Sequence, residues 1–168
     1  MPITPFHFGP GALLHAMAPR HVSFIGFCAA NCVMDLEPLY LIFTGQFPLH
    51  RFMHTLTGAS CAWLAVVAGF VLIKRCDRWL RLPDFFQWKA LTPTSVAIGA
   101  AAGAYSHLLL DGIMHGDMFP FAPVSAENPL LHAVPLDVLH LACAAAGLLG
   151  LGLVALRRRS ARSGDGSR

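Results

Sequence analysis

Four apolar runs, each near the length needed to cross a bilayer, leave this chain few folds to choose from. They cover Val22 to about Asp35 with a continuation toward Phe43, Leu56 to Ile73, Ser95 to Ile113, and Val138 to Leu156. A spanning helix needs ~20 apolar residues, within a range of roughly 17–25. The second and fourth runs contain no Asp, Glu, Lys or Arg. The first is ambiguous, because Pro38 has no N–H to donate and should end or kink a helix near Glu37. Only 12% of the 168 residues are charged, about half of the ~25% usual in a soluble domain. That leaves too few charges to coat a soluble surface around buried helices. The expectation is an all-α integral membrane bundle of about four transmembrane helices plus a short N-terminal half-helix, forming one domain over residues 1–159.

The ends of the chain read differently. Residues 1–11 carry no basic residue ahead of their apolar part and no small-residue cleavage site, unlike a signal peptide. Pro10 and Gly11 instead open a short helix, Ala12 to Met17, stopped by Pro19. It is too short to span and is expected to pack against the bundle, after an irregular stretch from Thr4 to Gly9. Residues 160–168, rich in Ser, Gly and Arg, read as a disordered tail.

Charge sorts along the threading. Arg20 precedes the first run; Lys74, Arg75, Arg78, Arg81 and Lys89 follow the second; Arg157, Arg158, Arg159, Arg162 and Arg168 follow the fourth. A single up-and-down path puts all of these on one side, and the positive-inside rule makes that side cytoplasmic, the C-terminus included. Arg51 is the lone base on the outer side. Asp35, Glu37, Asp111, Asp117, Glu127 and Asp137 fall there, with His50, His54, His107, His115, His132 and His140. The net charge, 12 basic minus 9 acidic or +3, and bases not interleaved with aromatics exclude a nucleic-acid footprint. The five cysteines form no C-x-x-C pair, so neither a disulfide framework nor a thiolate zinc site is indicated. Gly99 and Gly103 form a G-x-x-x-G pair, read first as close packing inside the bundle and second as a homodimer face.

The outer histidines and acids carry the chemistry. An ionisable group in a span costs ~2.5–3.5 kcal/mol and persists where it pairs, binds metal or lines water. His50 and His54 at i,i+4 would share a helix face, and His107, Asp111 and His115 form a second stripe. Asp35 and Glu37 at i,i+2 face apart on a continuous helix but converge where one ends. His7 joins from the N-terminal segment. His7, Asp35, His50, His54, His107 and Asp111 make six nitrogen and oxygen donors. Such a set suits Zn, with Mn, Fe or Ni as alternatives, and six donors are too many for one tetrahedral zinc and enough for two ions. Arg51 could clamp a phosphate oxygen or pair with Glu37 or Asp117. Asp117 or Asp137 could orient ligand imidazoles from behind. The loop from Gly116 to Pro135 could cover the site.

The segments "TPFHFGPG", "DLEP", "HRFMHT" and "YSHLLLDGIMHGDMFPFAP" occur in the order of a known pattern. From His7 to about Pro123 the chain resembles the bacterial membrane-bound metal-dependent hydrolases, a family with LexA-regulated inner-membrane members that is held to be distantly related to zinc-dependent phospholipase C. The resemblance implies metal ligands at the same six residues. It puts Glu37, as ligand, general base or neither, where the family commonly has a second Asp, and Met53 departs from the usual small or polar residue. It also implies a bacterial inner-membrane hydrolase with its site facing the periplasm, and burial at the membrane edge favours a lipid or lipid-linked phosphoester. Proton or ion transport through the same cluster, haem ligation, and a non-catalytic scaffold are the other readings. The cluster's one-sidedness argues against transport, and its carboxylates argue against haem.

Overall fold

The computed structural model describes residues 5–165, with side chains from Phe6 to Ser160. Five α-helices form its frame: α1 (Phe8–Met17), α2 (Phe24–Phe43), α3 (Leu56–Leu80), α4 (Pro93–Met114) and α5 (Leu136–Asp165). Short 3-10 turns occupy Pro5–His7, Phe52–His54 and Phe85–Ala90. The described residues contain no strand. Four of the helices, α2 to α5, are long and apolar enough to cross a membrane. The 20 residues of α2 span about 30 Å at 1.5 Å per residue, the thickness of a bilayer core.

The helix starts follow from local chemistry. Ser23, Thr55 and Thr92 each accept a hydrogen bond on their side chain from the backbone N–H three residues on, at 3.1, 3.0 and 3.1 Å. This satisfies one of the donors that a first turn leaves free. Pro93 stands in the first turn of α4, where its missing N–H costs nothing.

Packing separates the helices into an inner and an outer set. The central helix, α4, lies against α2 and α3, while α1 lies along α5. A core of Ala30, Met34, Ala59, Ala62, Ala100, Ala104, Leu108 and Met118 fills the α2–α3–α4 contact. Small residues let the backbones meet: a Cβ on Gly99 would stand 2.1 Å from the Ser23 carbonyl oxygen, and one on Gly103 would stand 2.4 Å from that of Phe27. The G-x-x-x-G face is therefore filled by α2 from the same chain. Outward-facing leucines such as Leu64, Leu72, Leu141 and Leu148 are exposed, as lipid-facing residues of a membrane bundle would be.

Four local readings are settled or corrected. Of the two courses open to the first run, α2 takes the longer: it passes Glu37 and the buried Pro38 and runs to Phe43, its course set by packing against α4 and α3. Helix α1 begins at Phe8 rather than Ala12, and the preceding turn is already helical from Pro5. Residues 160–165, assigned to a disordered tail, continue α5, because Arg and Ala prolong a helix already nucleated upstream; residues 166–168 lie outside the described set. His50 and His54 do not share a regular helix. His50 lies in a loop and His54 closes the Phe52–His54 turn, because α3 starts only after the Thr55 cap.

Candidate metal centre

One end of the bundle gathers the histidines and acids. Asp111, near the C-terminal end of α4, is the hub. Its Oδ1 lies 3.0 Å from His7 Nε2 and 3.8 Å from His115 Nε2. Its Oδ2 lies 3.1 Å from His107 Nε2 and 3.3 Å from His54 Nε2. Asp35 Oδ1 stands 3.5 Å from His107 Nε2, and the Nε2 atoms of His54 and His107 are 3.3 Å apart. His7, Asp35, His50, His54, His107 and Asp111 are all buried. The structure thus brings together all six residues read as donors.

The six come from four separate pieces of chain. The turn before α1 delivers His7, and the second half of α2 delivers Asp35. The loop and turn before α3 supply His50 and His54, and consecutive turns of α4 supply His107 and Asp111. His115, the residue that caps α4, completes the stripe. Two pairs of imidazoles stack, His7 on His107 at 4.5 Å between centroids and His50 on His115 at 4.2 Å, while His54 meets His50 edge-on.

Three sets of donor atoms each lie within 4.8 Å of one another: His7, His107 and Asp111; Asp35, His54 and His107; and His50, Asp111 and His115. Two ligand atoms on a tetrahedral zinc with bonds of ~2.0–2.1 Å are ~3.3 Å apart. The observed separations of 3.0, 3.1, 3.3 and 3.5 Å bracket that edge length. Imidazole nitrogen and carboxylate oxygen without thiolate are the donors of Zn, Mn or Fe sites. The residues present therefore fit a divalent cation, and the two oxygens of Asp111 face different histidines.

Groups behind the donors fix the rings. Asn31, buried on α2, accepts from His107 Nδ1 on its Oδ1 at 2.9 Å, while its amide nitrogen donates to the Phe27 carbonyl at 2.9 Å. Asp117 Oδ1 accepts from His50 Nδ1 at 2.8 Å, and Oδ2 takes the Leu49 N–H at 3.0 Å. Holding the proton on Nδ1 leaves the Nε2 lone pair for a cation. Asp117 was expected in this role. Asn31 was not, although its position four residues before Asp35 in an apolar run was the available signal. His115 was noted in the stripe but left out of the donor set. Asp137, for which a place at the positive start of the fourth span is the favoured reading, lies in the first turn of α5.

Glu37 and Arg51 lie outside the cluster of donor atoms. Glu37 Oε2 accepts from the Met53 N–H at 2.9 Å and stands 3.9 Å from His54 Nδ1, on the far side of the ring from Asp111. It braces the turn that carries His54. The Arg51 guanidinium pairs with neither Glu37 nor Asp117. Its guanidinium donates to the Pro48 and Phe47 carbonyls at 3.0 Å each and to the Gln46 Oε1 at 3.4 Å. It lines a cleft of about 470 Å³ whose wall also includes His50, Phe52, Thr55, Phe119 and Pro123. The loop after α4 forms part of this wall and is tied down: the Pro120 carbonyl accepts from Leu56 N–H at 2.8 Å, and Met118 is fully buried.

Outside the spans, the electrostatics differ among the rings. Burial lowers the His54 pKa, but the hydrogen bond to Asp111 and the Glu37 carboxylate outweigh it and push the value up to about 9. Burial depresses His50, helped by the charge of His54, and depresses His115 to about 4. Burial raises the Asp117 carboxyl, and the bond from His50 more than reverses this. The result is neutral imidazoles at His50 and His115, the form a cation needs.

Fold and site together define a helical protein with membrane-length spans and a buried His/Asp cluster able to hold metal. The chain matches no family model, no curated protein and no solved structure.

Proposed function

We propose that this protein is a membrane-embedded, metal-dependent hydrolase, of the family its motifs resemble, acting on a phosphoester of a lipid or lipid-linked substrate. The observation that carries the reading is Asp111, whose two oxygens each face separate histidines in a buried site. A carboxylate so placed could serve two cation positions, and the chemistry two such ions would supply suits displacement at a phosphoester. A divalent cation there, zinc by preference, supplies Lewis acidity for activating water and stabilising leaving-group charge.

The chain's own residues supply the rest. Asp35, His54 and His107 would hold one ion with Asp111 Oδ2. His7 and His115 flank Oδ1, and His50 belongs to the same group of donors as Asp111 and His115. Asn31 and Asp117 keep His107 and His50 in the binding tautomer. Arg51 spends three of its five N–H donors on the loop, leaving two for a phosphate oxygen in the adjoining cleft. The apolar wall of Phe52, Phe119 and Pro123 suits a lipid substrate. The bases at the opposite end of the helices support a location in the bacterial inner membrane with the metal end periplasmic and the C-terminus cytoplasmic.

The test is elemental analysis of detergent-purified protein, together with hydrolysis of phospholipid phosphoesters with and without chelator. Stoichiometric metal and chelator-sensitive hydrolysis are expected, both lost in His54→Ala and Asp111→Ala. Metal-free protein, or full occupancy and activity in both variants, would overturn the proposal.

A further inference from the structure

The opposite end of the bundle holds a second cavity that the hydrolase reading does not use. It measures about 690 Å³ and is lined by His15, Arg20, Phe86, Leu91, Thr92 and Arg158, among others. It lies where α1 ends, α4 begins and α5 enters its arginine-rich turns. Along α4, Asp111 is sixteen residues beyond Ser95, or about 24 Å away at 1.5 Å per residue.

We propose that this cavity binds the phosphate headgroup of an anionic phospholipid. Arg20 and Arg158 line it from different parts of the chain and have no acid partner among the described residues. The acids of this end with described side chains are committed elsewhere: Asp77 pairs with Lys89 Nζ at 2.8 Å and accepts from Leu82 N–H, and Asp84 accepts from Lys89 N–H at 3.0 Å. Thr92 caps α4, so the positive end of that helix dipole faces the same space. His15 donates Nδ1–H to the Val22 carbonyl at 2.7 Å, which fixes its ring in the wall. Arg157 donates to the Ala16 carbonyl and ties α5 to α1 beside the cavity. A cavity lined both by two bases with no described acid partner and by Phe86 and Leu91 matches a ligand with a charged head and an apolar body. Phe86 is 91% exposed, and Trp79 and Phe85 are exposed with it, as expected of aromatics at a bilayer interface. A rim of this kind favours a lipid over a free phosphate ion. Basic cavities between spans on the positively charged side are built for such headgroups.

Native mass spectrometry of detergent-purified protein tests this with three probes: phosphatidylglycerol, phosphatidylcholine of the same chains, and inorganic phosphate. The phosphatidylglycerol adduct is expected to be favoured about tenfold over phosphatidylcholine. Arg20→Ala/Arg158→Ala removes that preference, and Arg158→Gln alone lowers it roughly threefold. Arg75→Ala/Arg78→Ala, two exposed bases at the same end that do not line the cavity, keeps it. Equal loss in both double variants would reduce the effect to diffuse surface charge and overturn the site. An unchanged preference in Arg158→Gln and in the cavity double variant would also overturn it. Displacement of lipid by millimolar inorganic phosphate would make it a free-phosphate site and overturn the lipid assignment.

Discussion

Replacing Asn31 tests the metal centre from a position that touches no cation. Asn31 Oδ1 takes the Nδ1 proton of His107 at 2.9 Å, and both side chains are about 1% exposed. Asn31→Ala leaves that N–H buried without an acceptor, at a cost of about 1–3 kcal/mol. Part of that cost falls on the bound state, where the ring must keep its proton on Nδ1 to offer Nε2. Metal affinity should then fall by about 10–100-fold, the range known for partners that orient metal-binding histidines. Asn31→Asp restores an acceptor of the same shape with a negative charge, which raises the basicity of the ring. It should therefore match or exceed the parent affinity. The assay is competition for zinc against a chelator of known affinity, with thermal unfolding of the chelated proteins run beside it. A structural role alone would lower unfolding temperature in both variants and leave zinc affinity untouched. Equal affinity in the parent, Asn31→Ala and Asn31→Asp would refute the reasoning, because His107 would then not be a ligand through Nε2.

Further expectations can be checked alongside. Asp111→Asn keeps the shape and removes the charge shared by His7, His54 and His107; zinc content by elemental analysis should fall below half of the parent's, with affinity down by more than about 100-fold, since a ligand outweighs the partners behind it. In chelated protein His54 holds a proton up to about pH 9, so a cation must displace it: zinc affinity should rise with pH through that value, and calorimetry in buffers of different ionisation enthalpy should show proton release near pH 7.5. Affinity independent of pH between 6 and 9 would contradict this. Gly99→Ala puts a methyl 2.1 Å from the Ser23 carbonyl oxygen and should cost about 1–3 kcal/mol in detergent unfolding by forcing α2 from α4. Gly69→Ala, with nothing within 4 Å of the added carbon, should stay within about 0.5 kcal/mol.

Helix class and span positions were legible in the sequence because they follow from local chemistry. An apolar run of membrane length in a weakly charged chain has one economical backbone solution, since every peptide group must be satisfied within its own segment. The runs around Leu56, Ser95 and Val138 accordingly lie within α3, α4 and α5. Boundaries were less legible where a residue's preference competes with packing. Pro38 favours a break, yet it is buried inside a continuous α2. His50 and His54 have helical spacing, yet Thr55 begins the helix one residue later.

The sorting of histidines and acids to one end was also determined by the order of residues alone, because an up-and-down threading fixes which ends lie together. Which atoms meet was decided by tertiary packing. Asp111 faces His7, His54 and His107 at once only because α4 is held against α2 and α3 while the turn before α1 reaches in beside it. The same packing sets Asn31 behind His107, turns Glu37 toward the back of His54, and leaves Arg51 on the rim with the loop carbonyls. Periodicity along one helix says which side chains share a face. It carries no information on the angle and depth at which another helix meets that face, and a cation is held only where ligand distances of ~2 Å from residues far apart in the chain are met closely.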